Sequence, residues 1–170
     1  IDAHIGYVPE DRLTEGLFLS RSIGENITIA EMDAFTHYLG FVDKEAIRAE
    51  EKRWVERLGV VTPDPASAVN TLSGGNQQKV VLGRVLAAKP QVLILEEPTR
   101  GVDIGAREEI YGVIADLAHT GLPIVLSSGD AAEVVAGLRP GQWDVVVRDV
   151  FNGGSVPASC RSREFLAACL

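Results

Sequence analysis

The segment Val92-Leu93-Ile94-Leu95 is apolar at every position and ends in two adjacent carboxylates, Glu96-Glu97, followed by Pro98. Four branched aliphatic residues in a row leave no polar face for water. The segment therefore reads as a central parallel strand buried on both faces rather than as an alternating, half-exposed one. The sequence on either side supplies matching helices. Upstream, the stretch after Gly75 places Val81, Leu82, Val85 and Leu86 on one apolar face and is closed by Lys89-Pro90. Downstream, Ala106 to Leu117 presents Ile110, Ile114 and Leu117 at helical spacing, and Gly121-Leu122-Pro123 turns the chain into a further strand, Ile124-Val125-Leu126. This alternation is the grammar of an α/β fold with a mostly parallel sheet.

The remaining segments extend that pattern. A strand is expected near Ile5–Val8, followed by a polar, glycine-containing connection to Ile23-Gly24-Glu25-Asn26-Ile27. Asp43 to Leu58 has helical character, with Asp43 as N-cap, Ala46, Ile47, Trp54, Val55 and Leu58 as apolar positions, and Gly59 as the stop. Pro63-Asp64-Pro65 breaks regular structure. Val145-Val146-Val147 reads as one more strand, preceded by a short helix carrying Val134 and Val135. Gly153-Gly154-Ser155 reads as a loop, and Glu164 to Leu170 as at most a short terminal helix.

Two elements carry chemistry. Leu72-Ser73-Gly74-Gly75-Asn76-Gln77-Gln78-Lys79-Val80 leads a flexible Ser-Gly-Gly turn into a helix, whose unpaired backbone N–H groups and positive dipole end suit an anionic phosphate, with the Ser73 hydroxyl as an added donor. Taken alone, such a turn is usually just a loop or an ordinary helix start. The second element is the acidic pair. In open α/β sheets ligands collect outside the carboxyl ends of the strands, where one of Glu96 and Glu97 can face a magnesium ion and the other a water. The bland alternative is a pair of solvated residues closing a strand.

With both elements in order, the chain resembles the ATP-binding cassette (ABC) family over roughly residues 5–150. Leu72 to Gln78 resembles the family's signature sequence, Val92 to Glu97 its Walker B strand, and Gly101-Val102-Asp103 its D-loop. The Asn-Gln-Gln-Lys and Glu-Pro-Thr-Arg-Gly-Val-Asp forms, with Ile5-Gly6-Tyr7-Val8-Pro9-Glu10-Asp11-Arg12 and Glu15-Gly16-Leu17, are most similar to the second cassette of bacterial sugar importer ATPases of the ribose and galactose type. The resemblance implies a partial P-loop NTPase-like domain over residues 1–152, containing a helical subdomain at about 22–90 and followed by a tail at 153–170. It implies ATP and Mg2+ as ligands. In the family two cassettes pair head to tail, so Ser73, Gly74, Gly75 and Gln77 would bind nucleotide in trans, against the phosphate loop of another cassette, which in a full-length subunit is the first one. Glu97 matches the catalytic glutamate, Glu96 the metal-binding position, Asp103 the D-loop aspartate and Glu10 the Q-loop position. Membrane permease subunits and, indirectly, a sugar-binding protein are the other implied partners. The segment Glu10 to Ile29, with Leu17, Phe18 and Leu19, is the implied permease contact, although core packing accounts for those apolar residues as well.

The chain also departs from the family pattern. No Gly-x-x-x-x-Gly-Lys-Ser/Thr run occurs in its 170 residues, so the amide cradle and lysine for its own β- and γ-phosphates are not in this sequence, and ATP binding by the chain alone is expected to be poor. Glu96 stands where the family has aspartate, displacing the carboxylate that magnesium's tight octahedral geometry would use. Glu97 remains able to position or deprotonate the attacking water. Glu10 replaces the usual glutamine with an anion, and Ser127-Ser128-Gly129-Asp130 stands where the family has a switch histidine. The expectation is a chain that opens inside a cassette, serves a composite site through its signature sequence, and has a weak or silent Walker B side.

Composition narrows the alternatives. A 46% apolar chain of 170 residues can build a real core. The net charge of −8, with cations interspersed among acidic neighbours such as Glu50-Glu51-Lys52-Arg53, argues against a nucleic-acid partner. No apolar stretch approaches the roughly 20 residues needed to span a bilayer, and the amino end does not read as a signal peptide. The implied location is cytoplasmic, peripheral on the inner face of the cell membrane through the permease. Cys160 and Cys169 do not make a disulfide framework or zinc site, and His4, His37 and His119 are scattered without metal-ligand spacing. Against the importer reading stand a soluble cassette acting on ribosomes or DNA repair complexes, which the acidic charge disfavours, and a non-catalytic regulatory or remnant domain, which the departures above support.

Overall fold

The computed structural model describes residues 4–36 and 41–128. The expected helix with Val134 and Val135, the strand Val145–Val147, the loop and helix beyond residue 152, both cysteines, His37, Gly129 and Asp130 lie outside the described residues.

Three strands and four α-helices carry the architecture: β1 (Ile5–Val8), α1 (Ile23–Thr28), α2 (Lys44–Arg57), α3 (Gly74–Ala87), β2 (Val92–Glu96), α4 (Ile104–His119) and β3 (Ile124–Ser127). The sheet has the order β1-β2-β3 and is parallel throughout, with Tyr7 opposite Ile94 and Ile94 opposite Val125. β2 is central, as its unbroken apolar run requires. The sequence places α3 and the helices before it between β1 and β2, and α4 between β2 and β3, so each parallel pair is joined by a helical crossover.

One expectation about β2 needs correcting. Successive side chains of a strand point to opposite faces. Leu93 and Leu95 are fully buried, together with Val8 on the neighbouring strand, and join a core with Val81, Leu82, Ile110 and Ile114. Val92 and Ile94 are only half-buried, and on their face Ile5, Tyr7 and Val125 are 59%, 47% and 55% exposed. Among the described residues this second face of the sheet is half open, so the strand is apolar on both sides but fully covered on one.

The helices follow their local signals. Asp43 caps α2 by accepting from the Glu45 and Ala46 N–H groups, and Gly59 ends it in the left-handed region at φ 59°. Trp54 and Leu58 are its buried anchors. α1 opens with a capping box: the Ser22 hydroxyl accepts from the Glu25 N–H while the Glu25 carboxylate accepts from the Ser22 N–H. That backbone bond holds Glu25 below the usual carboxylate range. The S-x-x-E spacing was present in the sequence and marks this start. Gly83 on α3 sits where a Cβ would lie 2.7 Å from Leu58 Cδ1, which fixes how closely α3 approaches the end of α2. Lys79, buried one turn earlier on the same side of α3, donates to the Gly59 carbonyl at 2.8 Å and to Glu109 at 2.6 Å, tying α3 to the end of α2 and to α4.

Between β1 and α1 the polar connection winds into one wide π-type turn, Arg12–Gly16, capped by Asp11. Asn26, fully buried, accepts from the Phe18 N–H and donates to the Phe18 and Ser22 carbonyls, which fastens the loop to α1. The three apolar residues of this loop divide: Leu17 is in the core, whereas Phe18 and Leu19 are 49% and 37% exposed, with the Arg84 guanidinium over the Phe18 ring.

Candidate functional site

The signature-like segment forms the start of α3. Ser73 is the N-cap, at φ −62° and ψ 158°, and its hydroxyl oxygen accepts from the Asn76 side-chain amide at 3.0 Å and its backbone N–H at 3.5 Å. The Asn76 carbonyl oxygen in turn accepts from the Val61 N–H. Ser73 is exposed, with its hydroxyl proton available to a further acceptor. The two glycines are required by packing inside the chain. A Cβ on Gly75 would lie 2.4 Å from Ala106 Cβ, and one on Gly74 would lie 2.8 Å from Arg12 Nη2 and 3.1 Å from the Gly101 carbonyl. Glycine at these positions lets the start of α3 close on the segment leading into α4. Gln77 is turned away from Ser73: it is 8% exposed, and its amide nitrogen donates to the Val69 carbonyl at 3.4 Å.

The D-loop-like segment is equally well tied. Asp103 is the N-cap of α4 and accepts from the Ala106 N–H at 3.0 Å. Gly101 takes a left-handed φ of 65°, and the Val102 carbonyl accepts from Arg107 Nε. Arg12, reaching across from the turn after β1, donates to the carbonyls of Arg100 at 2.7 Å and Gly101 at 3.3 Å. The Arg100 side chain returns to form an ion pair with Glu10. The Glu10 carboxylate is therefore matched by a cation from the loop after β2.

The acidic pair at the end of β2 splits in direction. Glu96 continues the strand on the half-open face, and Tyr7 donates its hydroxyl proton to Glu96 Oε2. Tyr7 opposes Ile94, so Glu96 is its diagonal neighbour, a separation that an aromatic and a long acidic side chain span together. The hydrogen bond to Glu96, with smaller contributions from desolvation and carboxylate charge, pushes Tyr7 above the ordinary tyrosine range. Glu97 lies in the left-handed region at φ 44°, a costly conformation for a non-glycine residue that backbone bonds hold in place. Its N–H donates to the Ser127 carbonyl at 2.8 Å, its carbonyl accepts from the Arg100 N–H, and Ser128 Oγ reaches its carboxylate at 3.5 Å. The turn thus aims the two carboxylates differently and sets Glu97 beside the residue that follows β3.

Of the residues singled out from sequence, Gly74 lies against Arg12, Gly75 against Ala106 of the helix that Asp103 caps, and Glu10 pairs with Arg100, while Glu96 ends β2 and Glu97 follows it. Tyr7, Arg12, Arg100 and Asn76 were not singled out. Only the strand register reveals Tyr7 as the partner of Glu96, and the contacts of Arg12 join segments 88 and 89 residues apart. Among the described residues no group of three or more His, Cys, Asp or Glu side chains is placed to hold a metal ion, and His4 and His119 are both exposed. No helix among the described residues is long and apolar enough to cross a membrane.

A model of the ABC transporter family matches residues 1–100. The ribose import ATP-binding protein RbsA of Lactococcus lactis subsp. cremoris is 47% identical over 135 residues, covering 79% of this chain and 27% of that protein. The xylose import ATP-binding protein XylG of Pseudomonas fluorescens is 44% identical over 79% of this chain and 26% of its own length. The chain thus spans about a quarter of the length of these relatives. Among solved structures, an ATP-binding cassette in a post-hydrolysis dimeric state with ADP and Pi superposes with a TM-score of 0.63 at 23% identity, covering 78% of this chain and 55% of that one. This α/β chain, with its parallel sheet and helical crossovers, belongs to the ABC transporter ATP-binding family and is similar over most of its length to bacterial sugar import ATP-binding proteins.

Proposed function

We propose that this chain is the energy-coupling portion of a sugar import ATPase, and that it serves ATP in trans through the start of α3. The observation that carries the proposal is the construction of that start. An exposed, capped Ser73 stands at the positive end of a 14-residue helix whose glycines are packed against the D-loop segment, while no phosphate loop occurs in the same sequence. Preorganised donors at a helix N-terminus favour a phosphate presented by another body. In that arrangement Ser73 and the first amides of α3 would hold the γ-phosphate from one side, and Asp103 would stand at the junction as the cap of α4. Gln77 would act from below, by supporting the Val69 turn.

The chemistry of the strand end fits a supporting role for a hard cation. Glu96 offers carboxylate oxygen, the donor type magnesium takes when it also keeps water and phosphate ligands. Bound there, the ion would neutralise phosphate charge. Glu96 would contribute the oxygen not engaged by Tyr7, and Glu97 would orient water. The division into a domain over residues 1–152 with a helical part at about 22–90, contact with permease subunits through the segment Glu10 to Ile29, and a place on the inner face of the membrane belong to the same proposal, supported by the import functions named for the relatives.

Labelled ATP is the test: its binding is measured to this chain, to an intact cassette whose catalytic glutamate is replaced, and to the two mixed. The mixture is expected to bind more tightly than either part, and Ser73→Arg to abolish the gain. Binding unchanged by the chain, in a sample whose circular dichroism shows it folded, would favour a remnant cassette instead.

A further inference from the structure

We propose that Arg12 is a positioning residue that locks the D-loop segment to the start of α3, so that Ser73 and Asp103 are presented as one surface. The arginine comes from a stiff base. Asp11, beside it, accepts from the Leu13 and Thr14 N–H groups at 3.0 and 3.3 Å, and the Arg12 Cβ lies 3.2 Å from where a Cβ on Gly16 would be. From that base the planar guanidinium donates to two consecutive carbonyls, Arg100 and Gly101. Its Nε is buried without a hydrogen-bond partner among the described residues, so the two Nη contacts set its orientation.

Two glycines border the fork. Gly101, whose carbonyl accepts from it, takes a left-handed φ of 65° that favours glycine. Gly74 leaves the guanidinium room to reach between α3 and the Gly101 carbonyl. The Glu10–Arg100 ion pair closes the same contact from the other side. Its charges are 39% and 65% exposed, so its own strength is small. Arg12 therefore carries the connection. Lysine, a point charge on a flexible stem, can serve one carbonyl but not hold two in a fixed fork.

These contacts go to main-chain oxygens of an exposed turn, which sets Arg12 apart from Lys79, a buried side chain whose bonds go to the Gly59 carbonyl and the Glu109 carboxylate. The inference rests on the proposed trans role only for its effect on nucleotide, and the experiment separates the two. Hydrogen exchange is followed in the wild-type chain, Arg12→Lys and Arg12→Ala. Peptides spanning residues 97–106 and 72–78 are expected to exchange faster in the order wild type, Lys, Ala, by on the order of tenfold for the loss of a charge-assisted bond. The α2 peptides are expected to be unchanged. In the ATP mixture Arg12→Lys is expected to lose about tenfold of the wild-type gain with its melting temperature little altered, a split that a purely structural residue would not give. Unchanged exchange at 97–106, or equal acceleration in α2, overturns the proposal. If wild type itself gives no gain with ATP, the trans reading fails, and the exchange data still decide the role of Arg12.

Discussion

The start of α3 and the end of β2 adjoin each other but are built in different ways. At the start of α3 the side chains are held by the chain's own contacts: Ser73 through Asn76, Gly75 against Ala106, Asp103 through the Ala106 N–H. At the end of β2 the carboxylates are held in competing arrangements. Glu96 is engaged by Tyr7 on the next strand, and Glu97 occupies a left-handed conformation fixed by Ser127 and Arg100. A preorganised half-site costs little to use when its partner arrives. A carboxylate that already shares its charge with a hydrogen-bond donor has less to give a cation. The difference teaches that the start of α3 is fixed by its own bonds, whereas the carboxylates at the end of β2 are engaged by neighbours; under the proposed function, this makes the trans-acting side ready-made and the other side restrained.

The comparison breaks most severely at Gly75. Gly75→Ala drives a methyl group into Ala106, and overpacking of this kind costs about 1–3 kcal/mol, read as a lower urea midpoint. Ala106→Gly in the same chain should recover most of that loss, and a failure to recover it would show that the close approach of α3 and α4 is not what Gly75 serves. Next in size is the cap: Ser73→Ala should cost about 1 kcal/mol, while Ser73→Asn, which retains a capping oxygen, should cost less. Equal loss in both would deny the capping role.

At the end of β2 the effects are smaller but opposite in sign. Tyr7→Phe releases Glu96, so divalent-cation binding at this edge, followed with manganese as a probe, should tighten, and stability should hardly change. Weaker manganese binding would mean that Tyr7 orients Glu96 for the ion and does not restrain it. The same pair has a pH signature. The folded value of Tyr7 is raised above its ordinary 10.0, so the contribution of the bond is fully present below that value and is lost as pH rises through the raised one. Absorbance titration should show Tyr7 ionising later than a free tyrosine, and Glu96→Gln should bring it back toward the ordinary range.

Much of this fold is visible one residue at a time. The apolar run of β2, the cap at Asp43 and the spacing of Ile110, Ile114 and Leu117 each follow from local pattern, and the structure has strands and helices there. The half-open face of the sheet was not visible, because four aliphatic residues show that a strand tolerates burial on both sides without showing what covers it. At the site, Ser73-Gly74-Gly75 was legible as a helix start, and the structure has one there. The packing reason for its glycines was not, since Ala106 and Arg12 meet them only through the fold. Tyr7 and Glu96 are 89 residues apart, and only the parallel register makes them neighbours.

The most direct measurement is sedimentation of this chain with an intact cassette whose catalytic glutamate is replaced by glutamine, with and without ATP. The account predicts a one-to-one complex that forms only with ATP and is lost in Ser73→Arg. A complex indifferent to ATP or to Ser73, or the absence of any complex from a folded chain, would contradict it.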